Sequence, residues 1–171
     1  EHGGWQAPYV DDASGAMIGD GIDRLDALLL GRTTYDIFAG YWPDHEDDPI
    51  GAKFNAVPKF VASRALTDAS WAGTTVVSDV VTEVPARKDR FAEIHVIGSG
   101  NLARSLLAAD LVDRLNLYLY PVAFGSGKRL FDGTVPAAFR LVRPPVAFPK
   151  GAVSLVYERA GVPVTGIAID G

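Results

Sequence analysis

The sequence predicts an α/β domain with a mostly parallel central sheet that is finished by antiparallel strands near its C-terminal end. Three observations carry that prediction. Short uninterrupted apolar runs alternate with segments of helical character over the first part of the chain, as expected for strands buried on both faces. One such run, Glu93 to Ile97, stops at a glycine turn and passes directly into an amphipathic helix. The last third contains strand patterns but no long helix, which describes a parallel sheet completed by antiparallel structure.

The elements follow in order. Residues 1–20 are rich in Gly, Pro and Asp and read as an irregular lead-in, with a short helix expected near Gly19 to Leu25. Ala27-Leu28-Leu29-Leu30 is a strand ended by Gly31, and a helix begins after it with Arg32 or Thr33 near its cap. The loop from Tyr41 to Pro49 breaks the pattern with two prolines and four acids. A short helix, Ile50 to Ala56, leads to strands at Lys59 to Ala62 and Thr74 to Val77. Residues 79–92 read as helical only in part, because Pro85 removes a backbone donor from any helix interior it occupies. The strand, turn and helix of residues 93–109 precede strands at Arg114 to Pro121, Phe139 to Val142 and Ala152 to Tyr157.

The 171 residues are read as one domain spanning 1–171, and 48% hydrophobic residues suffice for a substantial core. The chain opens at Glu1 without an N-terminal strand. Sheets of this class often draw both core and active site from a first strand, so one is expected upstream. A net charge of −5 and the lack of any long Lys/Arg cluster argue against nucleic-acid and anionic-membrane partners. With no cysteine there are neither disulfides nor thiolate metal sites, and the cytoplasm is the default compartment. Three histidines leave little for a metal centre, and no apolar run approaches the length of a membrane span.

Three strand ends carry small or polar residues of matching character: Gly31-Arg32-Thr33-Thr34, Ser63-Arg64 and Gly98-Ser99-Gly100-Asn101. In a parallel sheet all three lie on the carboxyl edge, where open α/β sheets bind ligands. Two of them open helices, whose free N–H groups and positive dipole end favour a phosphate. Arginine forks onto phosphate where lysine cannot, and the Ser63 hydroxyl can donate to the same group. One pyrophosphate plus one further phosphate is what NADP(H) presents. Gly98, Gly100 and Ala103 also satisfy the G-x-G-x-x-G/A pattern in a strand-turn-helix context. Such turns occur in many α/β proteins without a ligand, and a standard Rossmann domain carries its motif in the first βαβ unit, so separate strand ends fit the chain better.

The runs Leu28-Leu29-Leu30-Gly31-Arg32-Thr33-Thr34-Tyr35, Val61-Ala62-Ser63-Arg64-Ala65-Leu66, Val96-Ile97-Gly98-Ser99-Gly100-Asn101-Leu102 and Leu111-Val112-Asp113-Arg114-Leu115, continuing to Pro121 through Phe131, resemble the dihydrofolate reductase family. The similarity is to its bacterial branch, which includes the C-terminal reductase domain of bifunctional riboflavin-biosynthesis enzymes. It covers nearly the whole chain in order. The resemblance implies a three-layer fold of the dihydrofolate reductase type, with NADPH bound across the strand ends. It also implies an activity like 5-amino-6-(5-phosphoribosylamino)uracil reductase, moving hydride to a small flat heterocyclic or carbonyl substrate. Carried over by position, Gly31, Arg32 and Thr33 would hold cofactor phosphates at a helix start. Ser63 and Arg64 would recognise the adenosine 2′-phosphate, and Gly98, Ser99, Gly100, Asn101 and Leu102 would cradle the diphosphate. The resemblance assigns no catalytic residue, because the acid that folate-reducing members use has no counterpart at a matching position.

Other features have plainer readings beside them. Trp5, Tyr41 and Trp42 are candidates to line a substrate cleft, with Asp11 and Asp12 as its polar anchor, although aromatics also fill cores and acids also cap turns. Gly125-Ser126-Gly127-Lys128 lacks the first glycine and the final Ser or Thr of a phosphate loop and reads as a turn. The acidic run Asp44 to Asp48 lacks calcium-loop spacing and reads as a solvated loop. His95 alternates within an apolar strand and reads as a hydrogen-bonded core residue. The strand-rich C-terminal third is a candidate homodimer surface. The competing functional class is a non-catalytic NADP(H)-binding module with a regulatory or scaffold role.

Overall fold

Leu28 and Leu30 are fully buried in one core cluster with Tyr35, Phe54, Val61 and Trp71, whereas Ala27 and Leu29 are buried in another with Phe60, Val77, Leu102 and Leu106. Successive side chains of a strand point to opposite faces, so an unbroken apolar run is what a strand covered on both sides requires. The computed structural model describes residues 4–131 and 136–166. In it this strand, β1 (Ala27–Gly31), lies inside a four-stranded parallel sheet with β2 (Lys59–Ala62), β3 (Thr74–Val77) and β4 (Ile94–His95), in the order β3-β2-β1-β4. The register pairs Leu28 with Lys59 and Gly31 with Ala62, and Ala27 with Ile94.

Among the described residues five α-helices accompany the sheet: α1 (Asp12–Asp23), α2 (Arg32–Ala39), α3 (Pro49–Ala56), α4 (Val80–Lys88) and α5 (Gly100–Ala108). The first is a correction to the sequence reading, which placed a short helix near Gly19 to Leu25. A reciprocal cap sets its true start: the Ser14 amide donates to Asp11 Oδ1 at 2.9 Å and the Asp11 amide to Ser14 Oγ at 2.9 Å. Gly15, Gly19 and Gly21 dilute the helical signal inside it. α4 runs through Pro85, held at its start by Asp79, whose carboxylate accepts from the Val81 and Thr82 amides.

α3 ends on a buried cation. Lys59, 1% exposed, donates from Nζ to the carbonyls of Phe54, Asn55 and Val57 at 3.0, 2.9 and 2.9 Å, and stands over the Trp71 ring at 4.8 Å. Three donors meet three otherwise orphaned carbonyls at the negative end of the helix dipole. Burial pushes the ammonium below its ordinary pKa.

The C-terminal strands form a second sheet rather than a single added strand. β8 (Val153–Arg159) is its centre, paired antiparallel with β5 (Arg114–Leu119), β6 (Phe139–Leu141) and β7 (Val146–Ala147). Among the described residues no ladder joins this sheet to the parallel one. The expectation of a mostly parallel sheet with antiparallel C-terminal structure therefore holds, with the antiparallel part larger than one strand. No described helix is long and apolar enough to cross a membrane.

Candidate active site

From β1 the chain steps to β2 and β3 on one side, and β4 lies on the other. The carboxyl ends of β1 and β4 thus flank a topological switch point, the crevice where open α/β sheets take ligands. Both strands lead into helices there, α2 directly after Gly31 and α5 after the Gly98-Ser99 turn.

The two turns are fastened to each other. The Gly31 amide donates to Ser99 Oγ at 3.0 Å, and that hydroxyl donates to the Ile97 carbonyl at 3.1 Å. Gly98 and Ser99 both adopt left-handed backbone, with φ of 60° and 54°, which a serine tolerates only under tertiary constraint. A Cβ on Gly98 would stand 3.6 Å from Thr34 Oγ1, so Thr34 covers the turn. Thr34 belongs to the Arg-Thr-Thr run but was not among the expected site residues.

Beyond the turn, Gly100 opens α5 with space around it, since a Cβ there would meet nothing within 4 Å. Ser99 gives no side-chain cap to the helix, and the first intrahelical bond from this turn is Ala103 N–H to Ser99 O at 2.9 Å. The amides of Gly100, Asn101 and Leu102 consequently have no backbone acceptor within the helix, as in any first turn. The side chains of these residues are otherwise engaged. Leu102 is buried in the core, and Asn101 Oδ1 accepts from Arg104.

Arg32 is exposed and pairs through Nε with both carboxylate oxygens of Asp36, at 2.8 and 2.9 Å. Thr33 is exposed beside it. On the neighbouring strand the Ser63 amide extends the ladder by donating to Val77 O at 3.0 Å, and Ser63 Oγ accepts from the Ala65 and Leu66 amides at 3.3 and 3.0 Å. Arg64 is exposed and makes neither ion pair nor hydrogen bond among the described residues. The expected set Gly31, Arg32, Thr33, Ser63, Arg64 and Gly98 to Leu102 therefore sits along one edge of one sheet.

The three aromatic candidates do not come together. Tyr41 and Trp42 follow the far end of α2. Trp42 packs edge-on against Phe38 and Phe54, and its carbonyl accepts from Asn55, whose Oδ1 takes the Trp71 indole N–H. Trp71 lies three residues before the start of β3, so this group lies toward the amino edge of the sheet, opposite the glycine turns. Tyr41 stacks on His45 at 3.8 Å between ring centres. Trp5 instead meets Tyr120 and Phe124 edge-on at 5.1 and 5.4 Å, just past the end of β5.

Of the acids considered, Asp11 is fixed as the α1 cap and also accepts the Lys150 amide at 3.0 Å. These amide bonds hold its carboxyl below its ordinary pKa. Asp48 caps α3 through the Ile50 and Gly51 amides. His95 bonds Glu93 at 2.9 Å through Nε2. Among the described residues no three His, Asp or Glu side chains group as metal ligands.

Comparison with known proteins adds a family. A family model described as RibD C-terminal domain matches residues 2–144. The chain is 26% identical over 148 residues to the uncharacterized protein YyaP of Bacillus subtilis (strain 168), covering 83% of this chain and 78% of that protein. A Shewanella sp. PV-4 protein with a provisional riboflavin-biosynthesis name superposes with a TM-score of 0.66 at 22% identity, over 88% of this chain and 81% of the other. A pyrimidine reductase-like protein of Corynebacterium diphtheriae does so with a TM-score of 0.59 at 14% identity, over 90% and 83%. The RibD of Acinetobacter baumannii gives 0.61 at 10% identity, over 88% of this chain and 51% of that longer one.

Proposed function

The chain belongs to the RibD C-terminal domain family, whose members are reductase-like, and from that premise we propose an NADPH-dependent reductase that delivers hydride to a C=N or C=O carbon of a small flat substrate. The observation that carries the reading is the switch-point crevice, where two helix starts are clasped by the Gly31–Ser99 bond and Gly100 leaves room for close approach.

The residues fit the cofactor's anionic groups. The first-turn amides of α5 at Gly100, Asn101 and Leu102 would bind the diphosphate, with the helix dipole adding to their attraction. Arg32 and Thr33 at the start of α2 would supply further contacts, the guanidinium of Arg32 being oriented by Asp36, and Gly31, whose amide is already donated to Ser99 Oγ, would lie against the cofactor without adding a donor. Arg64, exposed and without an ion pair or hydrogen bond among the described residues, is suited to fork onto the 2′-phosphate beside the Ser63 hydroxyl. When bound, NADPH supplies the hydride, and the chain's own part is binding, alignment and exclusion of water.

Calorimetric titration with NADPH and NADH tests the reading first, followed by NADPH oxidation in the presence of pterins, aminopyrimidines and small carbonyl compounds. The expected result is selective NADPH binding and turnover with one of these classes. Absence of NADPH binding by the folded chain overturns it. Tight binding with no turnover across every class would instead favour a non-catalytic NADP(H)-binding module.

A further inference from the structure

The antiparallel sheet turns an apolar face outward. Along the β5–β8 ladder Leu115, Leu117 and Leu119 stand opposite Tyr157, Leu155 and Val153, and directly paired residues of an antiparallel sheet share one face. Leu141 of β6 extends that face beside Tyr157. None of these side chains is buried, although β8 is the central strand, and none packs against either core cluster among the described residues. Leu119 is 63% and Leu141 40% exposed.

The opposite face is the one that packs on the domain. Val156 and Ser154 are buried there, and Tyr118, paired with Ser154, stacks on the buried ring of Phe148. The open end of that face carries the charges, with Glu158 bridging Arg114 of β5 and Arg140 of β6. An antiparallel sheet with one solvated face ordinarily makes that face polar. Here the outward face is the apolar one.

Charge and area both suit a second copy as the cover. Arg159, paired with Phe139 at the corner of the apolar face, is held by the Asp110 carboxylate and the Leu107 carbonyl, so two such faces meet without opposing free charges. Phe131, packed on Phe139 and 53% exposed, adds ring surface at the same corner. With roughly 150–250 Å² for a large side chain, the exposed fractions leave apolar surface on the order of 500 Å². At the roughly 65% apolar content of homodimer interfaces, that corresponds to about 800 Å² per partner, the standard size of a stable pair. A lipid surface suits the face less well, since the chain carries a net charge of −5 and no long Lys/Arg cluster.

We propose that this face packs on the same face of a second copy of the chain across a two-fold axis, forming a sheet-on-sheet homodimer. Packed sheets lie about 10 Å apart, with side chains of the two inner faces interdigitating. In such an isologous contact both copies present one patch, and Leu155, on the central strand and flanked by Leu117, occupies its middle. The inference goes beyond the reductase reading and does not depend on it.

Analytical ultracentrifugation of the full chain, over a wide range of concentrations down to the low micromolar, tests it. The expected mass is twice the 18.2 kDa of one chain. Leu155→Lys and Leu119→Lys should each weaken the dimer about 100-fold or more, because each forces an unpaired charge into the contact. Leu119 is already 63% exposed, so its lysine variant keeps the monomer fold even where Leu155→Lys does not, and circular dichroism verifies this. Asn116→Lys places the same charge on the same strand but on the opposite face, where Asn116 is exposed, and should leave the dimer intact. A parent that is monomeric throughout, a dimer that survives Leu119→Lys, or equal disruption by Asn116→Lys overturns the proposal. Mass alone is read, so the result stands apart from any outcome of cofactor titration.

Discussion

The amide of Gly31 and the hydroxyl of Ser99, 68 positions apart in sequence, are joined by a hydrogen bond of 3.0 Å. The bond couples the first strand of the sheet to the turn that opens α5, and it holds a serine at φ 54°. Loss of the hydroxyl leaves the Gly31 amide without its acceptor, while loss of the whole side chain also relieves the left-handed backbone.

Ser99→Ala should therefore lower unfolding free energy by about 1–2 kcal/mol, and Ser99→Gly should cost less because relief of the backbone strain offsets part of the lost bond. Urea denaturation of the two variants measures this. Ser99→Ala unfolding at the parent's midpoint would mean that the clasp contributes nothing.

Gly100→Val should fold like the parent, because its Cβ enters open space, yet lose NADPH affinity, because the branched side chain would stand where the diphosphate must approach. Circular dichroism and calorimetry on one preparation decide it. Unchanged affinity in a folded variant removes the α5 start from the cofactor site.

Arg64→Ala should weaken NADPH by about 1–3 kcal/mol and leave NADH nearly unchanged, as expected when a charge-assisted bond to one phosphate is deleted. Equal losses for both cofactors would reassign Arg64 away from the 2′-phosphate.

The parallel sheet was legible because each of its first three strands is a short stretch carrying apolar or β-branched residues that stops at Gly31, Ser63 or Ser78, and the expected carboxyl-edge residues follow the ends of β1, β2 and β4. What escaped reading depends on distant partners. The cap of α1 was hidden by Gly15, Gly19 and Gly21, and the approach of Lys150 to Asp11 spans 139 positions. Trp5 and Trp42 look alike in sequence, yet Trp42 is drawn into the core by Phe54 while Trp5 reaches Tyr120 across the domain. Only the fold decides which edge of the sheet an aromatic serves.

Gly51 needs to be glycine for a reason unrelated to backbone angle. A Cβ there would fall 1.9 Å from the His45 carbonyl oxygen and 3.2 Å from the Trp42 ring, where backbone cannot yield as a flexible side chain does. Gly51→Ala should destabilise the fold by about 3 kcal/mol or more, visible as a large drop in Tm. A variant melting within a degree or two of the parent, on the order of experimental scatter, would contradict this packing of α3 on the preceding loop.

Acid sensitivity should arise from two caps. The Ser14 and Lys150 amides hold Asp11 below its ordinary 3.8, and the Asp79 amide, with Arg87 and the Ser78 amide, holds Glu83 below its ordinary 4.5. A carboxyl with a depressed folded pKa binds fewer protons in the native state than in the unfolded chain, so stability falls as pH falls. The contribution is fully present above the ordinary values and is lost as pH drops through the lower folded ones. Asp11→Asn keeps a neutral acceptor for the Ser14 amide but cannot titrate, and Glu83→Gln does the same at α4. Each variant should be less stable than the parent near neutrality and show a shallower fall in Tm below about pH 4, with the double variant shallowest. Parallel pH profiles for parent and double variant would show that neither cap is linked to protonation.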